Sequence, residues 1–234
     1  MSEWWTYRPS DFLMFAPRTY WRLFEQQNEA WWPAQPLLLL AGLGWLLWLT
    51  RRGSPSLRTG AAGLAAASAF VGWAFMLQRY APVNWAAAGF AAVFFALALA
   101  LAVAAALGEL RVANGRIRRR VGLALLAAGL LAWPLLAPAF GRPWLQAEIF
   151  ALAPDPTAIA TLGFLVLAVP RGRVVRWALR AAWCAALAGS TISVATLWTL
   201  GTWQAGFVLA AALAPVAAAW RLPADSRHQL SSFS

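Results

Sequence analysis

The sequence predicts an all-α fold, a polytopic membrane helix bundle, on three observations. The 234 residues are 62% hydrophobic and only 12% charged, which is more apolar surface than a soluble chain of this length needs. Several apolar runs of about 18 residues or more, the length that spans a bilayer, follow one another along the chain. Short basic loops separate these runs. Because lipid offers no partners to open backbone groups, each run is expected to be a helix.

Seven spans are predicted, and the short loops between them make sequential helices antiparallel neighbours. The spans cover residues 34–50, 60–78, 84–108, 121–140, 156–170, 178–199 and 203–221. They form one transmembrane bundle over residues 34–221, with an N-terminal segment over 1–33 and a tail over 222–234. The N-terminus lacks the pattern of a signal peptide, so the first span is expected to direct insertion and to remain in the protein.

The arginines predict the orientation of this bundle. The chain has no lysine, and fourteen of its nineteen arginines fall on one side of the predicted spans. By the positive-inside rule this side is cytoplasmic, which places the N-terminus outside and the C-terminal tail inside. The net charge of +11 is then explained by orientation and by contact with anionic lipid headgroups, and no nucleic-acid partner is expected.

The N-terminal segment carries a predicted amphipathic helix in the stretch RTYWRLFEQQNEAWW. Its apolar face repeats at helical spacing over residues Tyr20, Leu23, Phe24, Gln27 and Trp31. Such a helix, flanked by tryptophans, is expected to lie in the outer membrane interface and to anchor the bundle. The alternative is a lid or a docking surface.

The stretch FALAPDPTAIATLGFLVLAVPRG, residues 150–172, predicts a broken helix. About fifteen helical residues rise about 22 Å, which is short of a hydrocarbon core about 30 Å thick. The helix is therefore expected to start below the outer surface, preceded by a short helix or a re-entrant piece over residues 144–153. Asp155 suits the N-cap of this helix and Pro156 its first position. The alternative is an ordinary cap near the interface.

Polar residues from three outer segments are expected to converge over the broken helix. An ion pair of Arg79 or Arg142 with Asp155 or Glu148 is the expected contact. It serves either as a structural salt bridge between loops or as part of a ligand or partner site. The candidate site residues are Asp155, Thr157, Glu148, Arg142, Arg79, Asn84 and Asn28.

Catalytic and redox chemistry finds little support in the sequence. With one histidine, His228, and one cysteine, Cys184, no metal or haem site is expected, and no cofactor. A polar stripe in the sixth span is expected to have neither a base nor a carboxylate beside it to make a nucleophile, and to bond its own or a neighbouring helix. Its members are Ser190, Thr191, Ser193 and Thr196. We expect no enzyme. The absence of a secure mid-span charge also disfavours proton-driven transport.

Three motifs resemble those of a family of bacterial multi-pass membrane proteins known only as a domain of unknown function. They lie in QNEAWWPAQ (27–35), RYAPVNWAAAGF (79–90) and EIFALAPDPTAIATLGFLVL (148–167). The matching residues are Asn28, Ala30, Trp32, Pro33, Asn84, Ala86, Pro154, Pro156, Thr157, Leu162 and Gly163. The resemblance implies a protein of the bacterial inner membrane whose outer-side motifs belong together. It supplies no activity.

Two functions follow as hypotheses. The first is a non-enzymatic accessory or partner-binding subunit of a membrane complex, whose partners are the lipid bilayer and another membrane protein. The alternative is a small-solute permease or binding protein, entered from the outer face over the break at Pro154–Thr157.

Overall fold

The structure is a computed structural model, which describes residues 16–220. The all-α class is confirmed: eight helices run through this part of the chain, with two short strands that the sequence did not predict. The helices are α1 Pro17–Ala30, α2 Ala34–Arg52, α3 Pro55–Tyr80, α4 Ala87–Leu107, α5 Arg116–Ala139, α6 Pro154–Leu167, α7 Arg173–Thr199 and α8 Gln204–Trp220; the strands are β1 Leu110–Val112 and β2 Ala168–Pro170. The predicted tail over residues 222–234 lies outside the described residues, as does the first part of the N-terminal segment.

The predicted count of seven spans is not reached within residues 16–220. Four helices, α3, α4, α5 and α7, are long and apolar enough to cross a membrane. A fifth span results if α1 and α2, which meet at 87°, are taken together. The helix α6 has 14 residues and rises about 21 Å, which is too short to cross a membrane. The helix α8 is likewise shorter than a membrane span. Hydropathy alone did not show where these helices end or bend.

Three arginine-rich loops meet at one end of the bundle. The strands β1 and β2 pair antiparallel, so the loops that follow α4 and α6 are joined there. The backbone N–H of Val112 donates to the Ser54 hydroxyl at 3.0 Å, which adds the loop between α2 and α3. This arrangement agrees with the predicted antiparallel order of sequential helices.

The helix α6 forms the centre of the core, and all of its residues are buried. Glycines allow α5 to lie directly against it. A Cβ added at Gly163 of α6 would lie 2.6 Å from the backbone N of Leu126. One added at Gly129 of α5 would lie 2.6 Å from the carbonyl oxygen of Pro156. Larger residues at either glycine would therefore force these two helices apart.

The helix α1 covers the end of the bundle opposite the arginine-rich loops, which we call the outer end after its predicted orientation. The predicted face is confirmed for Tyr20, Leu23, Phe24 and Gln27, which are all buried. The Phe24 ring lies 4.8 Å from that of Phe75 in α3. The apolar face thus packs on protein, and α1 forms a cover over this end of the bundle. The place of this segment in the membrane interface stays a prediction.

Candidate functional site

The chain before α6, predicted as a short helix or a re-entrant piece, forms one short turn and then a buried segment. A 3-10 turn over Trp144–Gln146 leads into residues 147–153, of which all but Phe150 are buried. The helix itself begins at Pro154, with Ala153 as its N-cap. The predicted N-cap role of Asp155 is therefore wrong. Proline suits the first helical position because its missing N–H needs no partner there, and Pro154 takes that position two residues earlier than the expected Pro156.

Thr157 holds the break in shape. Its hydroxyl donates to the carbonyl of Ala153 at 2.8 Å and accepts the N–H of Ala151 at 3.0 Å. Ala151 has a φ of +66°, a left-handed conformation that is unfavourable for a residue with a Cβ. The two hydrogen bonds of the Thr157 hydroxyl stabilise this turn. Thr157, predicted as a site residue, therefore has a structural role here.

Asp155 is directed into the protein, where its carboxylate accepts a hydrogen bond from the Ser193 hydroxyl of α7. Both residues are buried. A cavity of about 20 Å³ is lined by Ser193 and Pro154, together with Tyr20, Tyr80 and Thr196. About 10–15 Å³ of such volume holds one water molecule, so this space accommodates a single water beside Ser193.

Glu148 is the centre of a second buried cluster, which we call the Glu148 network. Its carboxylate accepts hydrogen bonds from Trp133 Nε1 at 3.1 Å and from Gln204 Nε2 at 2.6 Å. The Arg142 guanidinium forms an ion pair with it at 3.4 Å. One of the four predicted pairings, that of Arg142 with Glu148, is thus present. The Glu148 network as a whole joins the loop before α6 to α5 and α8.

Arg142 is held on its other faces as well. It donates to Gln204 Oε1 at 2.5 Å and to the backbone carbonyl of Gln146 at 3.3 Å. Its guanidinium lies over the Trp21 ring of α1, 3.6 Å from the ring centroid. Burial lowers the pKa of Arg142, and the Glu148 carboxylate opposes this shift. An arginine stays protonated in proteins, so the guanidinium remains charged.

The remaining predicted residues bind nearby backbone or amide groups. Asn28 of α1 donates to the carbonyls of Leu145 and Ala147, at 2.8 and 2.9 Å, and so fastens the cover to the chain before α6. Arg79 reaches Gln27 of α1 at 3.4 Å and pairs with neither predicted carboxylate. A third side chain, Asn84, accepts the N–H of Ala86 within its own turn. The three segments therefore meet, as predicted.

Sequence reasoning missed three partners, Trp133, Gln204 and Trp21. Gln204 was visible as a polar residue at the start of an apolar run, but nothing in the sequence pairs it with Glu148. The polar stripe in the sixth span bonds as expected, since Ser190, Thr191 and Thr196 bond carbonyls of α7 itself and Ser193 bonds a neighbouring helix. The expectation that no carboxylate lies beside the stripe is wrong, because the partner of Ser193 is Asp155. Within residues 16–220 no group of three His, Cys, Asp or Glu side chains is placed to hold a metal ion.

The family comparison covers this whole arrangement. The family model of DUF6064, a family of unknown function, matches residues 18–216. The chain belongs to this family. The match spans the three motifs that carried the resemblance and every candidate site residue, so the DUF6064 region includes the cover, the broken helix and the Glu148 network. Searches of the curated proteins and of the solved structures found no match.

A groove outside the site separates α2 from α3 and has a volume of about 280 Å³. We call it the α2–α3 groove. Small and aromatic residues line it, among them Gly44, Trp45, Trp48, Thr59 and Gly63. Added Cβ atoms at Gly44 and Gly63 would meet no atom within 4 Å. The space beside these two glycines is therefore open.

Proposed function

We propose that this member of DUF6064 is a non-enzymatic accessory subunit of a membrane complex, which binds an apolar transmembrane helix of a partner protein in the α2–α3 groove. The observation that carries the proposal is the groove itself, a glycine-lined space of about 280 Å³ between two apolar helices. Four helices long and apolar enough to cross a membrane support the setting.

The lining of the groove suits a helix. In lipid, helices associate through close van der Waals packing, and small residues let their backbones approach. Thr59 and Gly63 lie one turn apart on the exposed face of α3, and Gly44 faces the same space from α2. The chain already uses this kind of contact between α5 and α6, where Gly163 and Gly129 bring two backbones together.

The position of α2 also leaves room for a partner. Only Gln35, Gly42 and Leu49 are buried among its 19 residues. By contrast α6 is buried along its whole length. The indole of Trp45 lies on Gly60 and donates to the carbonyl of Ser56 at 3.1 Å, which sets the spacing of α2 and α3. The groove is therefore a fixed feature of the surface.

The permease hypothesis receives less support from the outer site. A solute path over Pro154–Thr157 needs space near Asp155, and the cavity lined by Pro154 and Ser193 measures about 20 Å³. The charged groups above it, Arg142 and Glu148, bond to each other and to neighbouring helices. This geometry favours a structural role for the polar residues.

The test is photocrosslinking from the groove in the native membrane. A photoreactive residue, benzoylphenylalanine, replaces Thr59, and the adduct is identified by mass spectrometry. Two further variants are compared in the same background. Gly63→Leu fills the groove, while Gly206→Leu adds the same side chain at a glycine of α8 that also meets no atom within 4 Å. Thermal unfolding in detergent confirms that both variants fold.

The proposal expects an adduct with an apolar transmembrane segment of another protein, lost in Gly63→Leu and kept in Gly206→Leu. Adducts with lipid alone, with a second copy of this chain, or in equal yield from both leucine variants would contradict it. The milder Gly63→Ala, which adds one methyl group, is expected to weaken the adduct and serves if Gly63→Leu unfolds.

We further propose that the chain lies in a bacterial inner membrane with its N-terminus outside and its arginine-rich end in the cytoplasm. The meeting of three arginine-rich loops at one end supports this orientation. Single cysteines test it in a Cys184→Ala background, with a membrane-impermeant maleimide added to intact cells. Trp85→Cys should be labelled and Asn114→Cys should not. The reverse pattern would overturn the orientation.

A further inference from the structure

The arginine-rich end of the bundle contains a cleft of about 540 Å³. Three parts of the chain form its walls. These are the end of α2 with Thr50 and the following turn at Gly53, the segment after β1, and the first turn of α5. We call it the α2–α5 cleft. It lies at the opposite end of the bundle from Asp155, since β1 and β2 close the far end of α6.

The charge around the cleft is of one sign. Arg116 and Arg119 line it, and none of its described lining residues is acidic. Both side chains are exposed, and within residues 16–220 neither has a hydrogen-bond or ion-pair partner. Their neighbour Arg118 differs, because it donates to the carbonyl of Val166 at 3.0 Å and so fastens α5 to α6. Two further arginines, Arg51 and Arg52, occupy the last turn of α2 beside the cleft.

The backbone adds donors to these guanidinium groups. The first turn of a helix has N–H groups without partners inside the helix, and anions bind there. The N-cap of α5 is Gly115, which has no side chain to cap them, and the first turn contains no acidic residue. Gly115 and Arg116 both line the cleft, and Asn114 adds an amide at the same edge. The donors of side chain and backbone thus converge on one space.

We propose that the α2–α5 cleft binds a phosphate group, carried by an anionic lipid headgroup or by a soluble phosphate compound. The guanidinium fork matches phosphate geometry with two parallel hydrogen bonds, and two arginines one turn apart present two such forks. The volume accommodates a phosphoglycerol headgroup. Its apolar floor, with Leu49, Leu123 and Leu167, suits the start of an acyl chain. This site is separate from the α2–α3 groove and does not depend on a protein partner.

The test uses the purified full chain in detergent with two probes. Native mass spectrometry measures binding of phosphatidylglycerol against phosphatidylcholine with the same acyl chains, and calorimetry measures inorganic phosphate. The site variant is Arg116→Gln/Arg119→Gln. The matched control, Arg173→Gln/Arg176→Gln, removes two exposed arginines from α7 at the same end of the bundle and outside the cleft.

Binding of phosphatidylglycerol should weaken about twentyfold in the site variant, or about fivefold in Arg119→Gln alone, and remain unchanged in the control. That result assigns the phosphate to a lipid. Binding of inorganic phosphate with the same dependence on Arg116 and Arg119, and no preference for phosphatidylglycerol, assigns it to a soluble compound and also supports the site. Equal losses in both double variants, or equal binding of the two lipids with no phosphate binding, would overturn the proposal.

Discussion

The two ends of this helix bundle use polar residues in opposite ways. At the outer end Glu148 and Arg142 are buried, and each bonds to several neighbouring groups. At the other end Arg116 and Arg119 are exposed around a cleft and have no partner among residues 16–220. A cluster of polar residues in the sequence is therefore not by itself a binding site. The buried cluster holds helices together, and the exposed one leaves its donors available.

The largest effect is expected where the buried end loses a charge. Glu148→Gln leaves the Arg142 guanidinium buried without a counter-charge, and removal of one partner from a buried ion pair destabilises a protein by about 3–5 kcal/mol. Unfolding in detergent by heat or denaturant measures the change. The control Glu29→Gln alters an exposed carboxylate of α1 and should have little effect. Equal stability of both variants would show that the Glu148 network is not structural.

A smaller loss is expected where α5 meets α6. In Gly163→Ala the new Cβ would lie 2.6 Å from the Leu126 backbone N, so the two helices must separate. Overpacking of this kind costs about 1–3 kcal/mol. Gly206→Ala places the same methyl group where no atom lies within 4 Å and should leave the unfolding temperature unchanged or raise it. If both variants unfold at the wild-type temperature, the close approach of α5 and α6 is wrong.

The break before α6 gives the next prediction. Thr157→Val keeps the shape of the side chain and removes the hydroxyl that bonds Ala151 and Ala153. The buried N–H of Ala151 then has no partner there, which costs about 1–3 kcal/mol. Thr191→Val is the matched control, because Thr191 is exposed and bonds only its own helix. Similar unfolding of the two variants would contradict the role assigned to Thr157.

The smallest effect is expected at the open end. Arg116→Gln/Arg119→Gln removes two exposed charges that bond no described residue, so the free energy of unfolding should change by no more than about 0.5 kcal/mol. The measurement is the same unfolding experiment, without added anionic lipid. A loss as large as that of Glu148→Gln would show that both ends of the bundle are built from structural polar contacts.

The sequence predicted the parts of this fold that depend on local periodicity. The buried face of α1 follows from the spacing of Tyr20, Leu23, Phe24 and Gln27, and the break before α6 follows from two prolines in an apolar run. Antiparallel order follows from short loops, and the meeting of the arginine-rich loops follows from that order. In the outer site, the pairing of Arg142 with Glu148 was predictable because both residues lie in one loop.

Long-range partners were not predictable from one sequence. The contacts of Glu148 with Gln204 and of Asp155 with Ser193 join residues far apart in the chain. Which side chains meet there depends on the packing of whole helices, which hydropathy does not encode. The predicted number of spans was wrong for a related reason. The helix α2 counts as a membrane span only together with α1, and the two meet at an 87° bend. The N-cap moved by two residues because Pro154 itself begins α6.

The central claim is that the outer polar cluster is closed to solutes, and the accessibility of Ser193 tests it most directly. Ser193→Cys, in a Cys184→Ala background, places a thiol in the wall of the small cavity, next to Asp155, with little change in volume. Trp85→Cys is the reference, because Trp85 is 78% exposed at the same end. The account predicts rapid maleimide labelling at Trp85→Cys, and labelling of Ser193→Cys only after unfolding. Equal labelling of both cysteines in the folded protein would contradict it and restore the permease hypothesis.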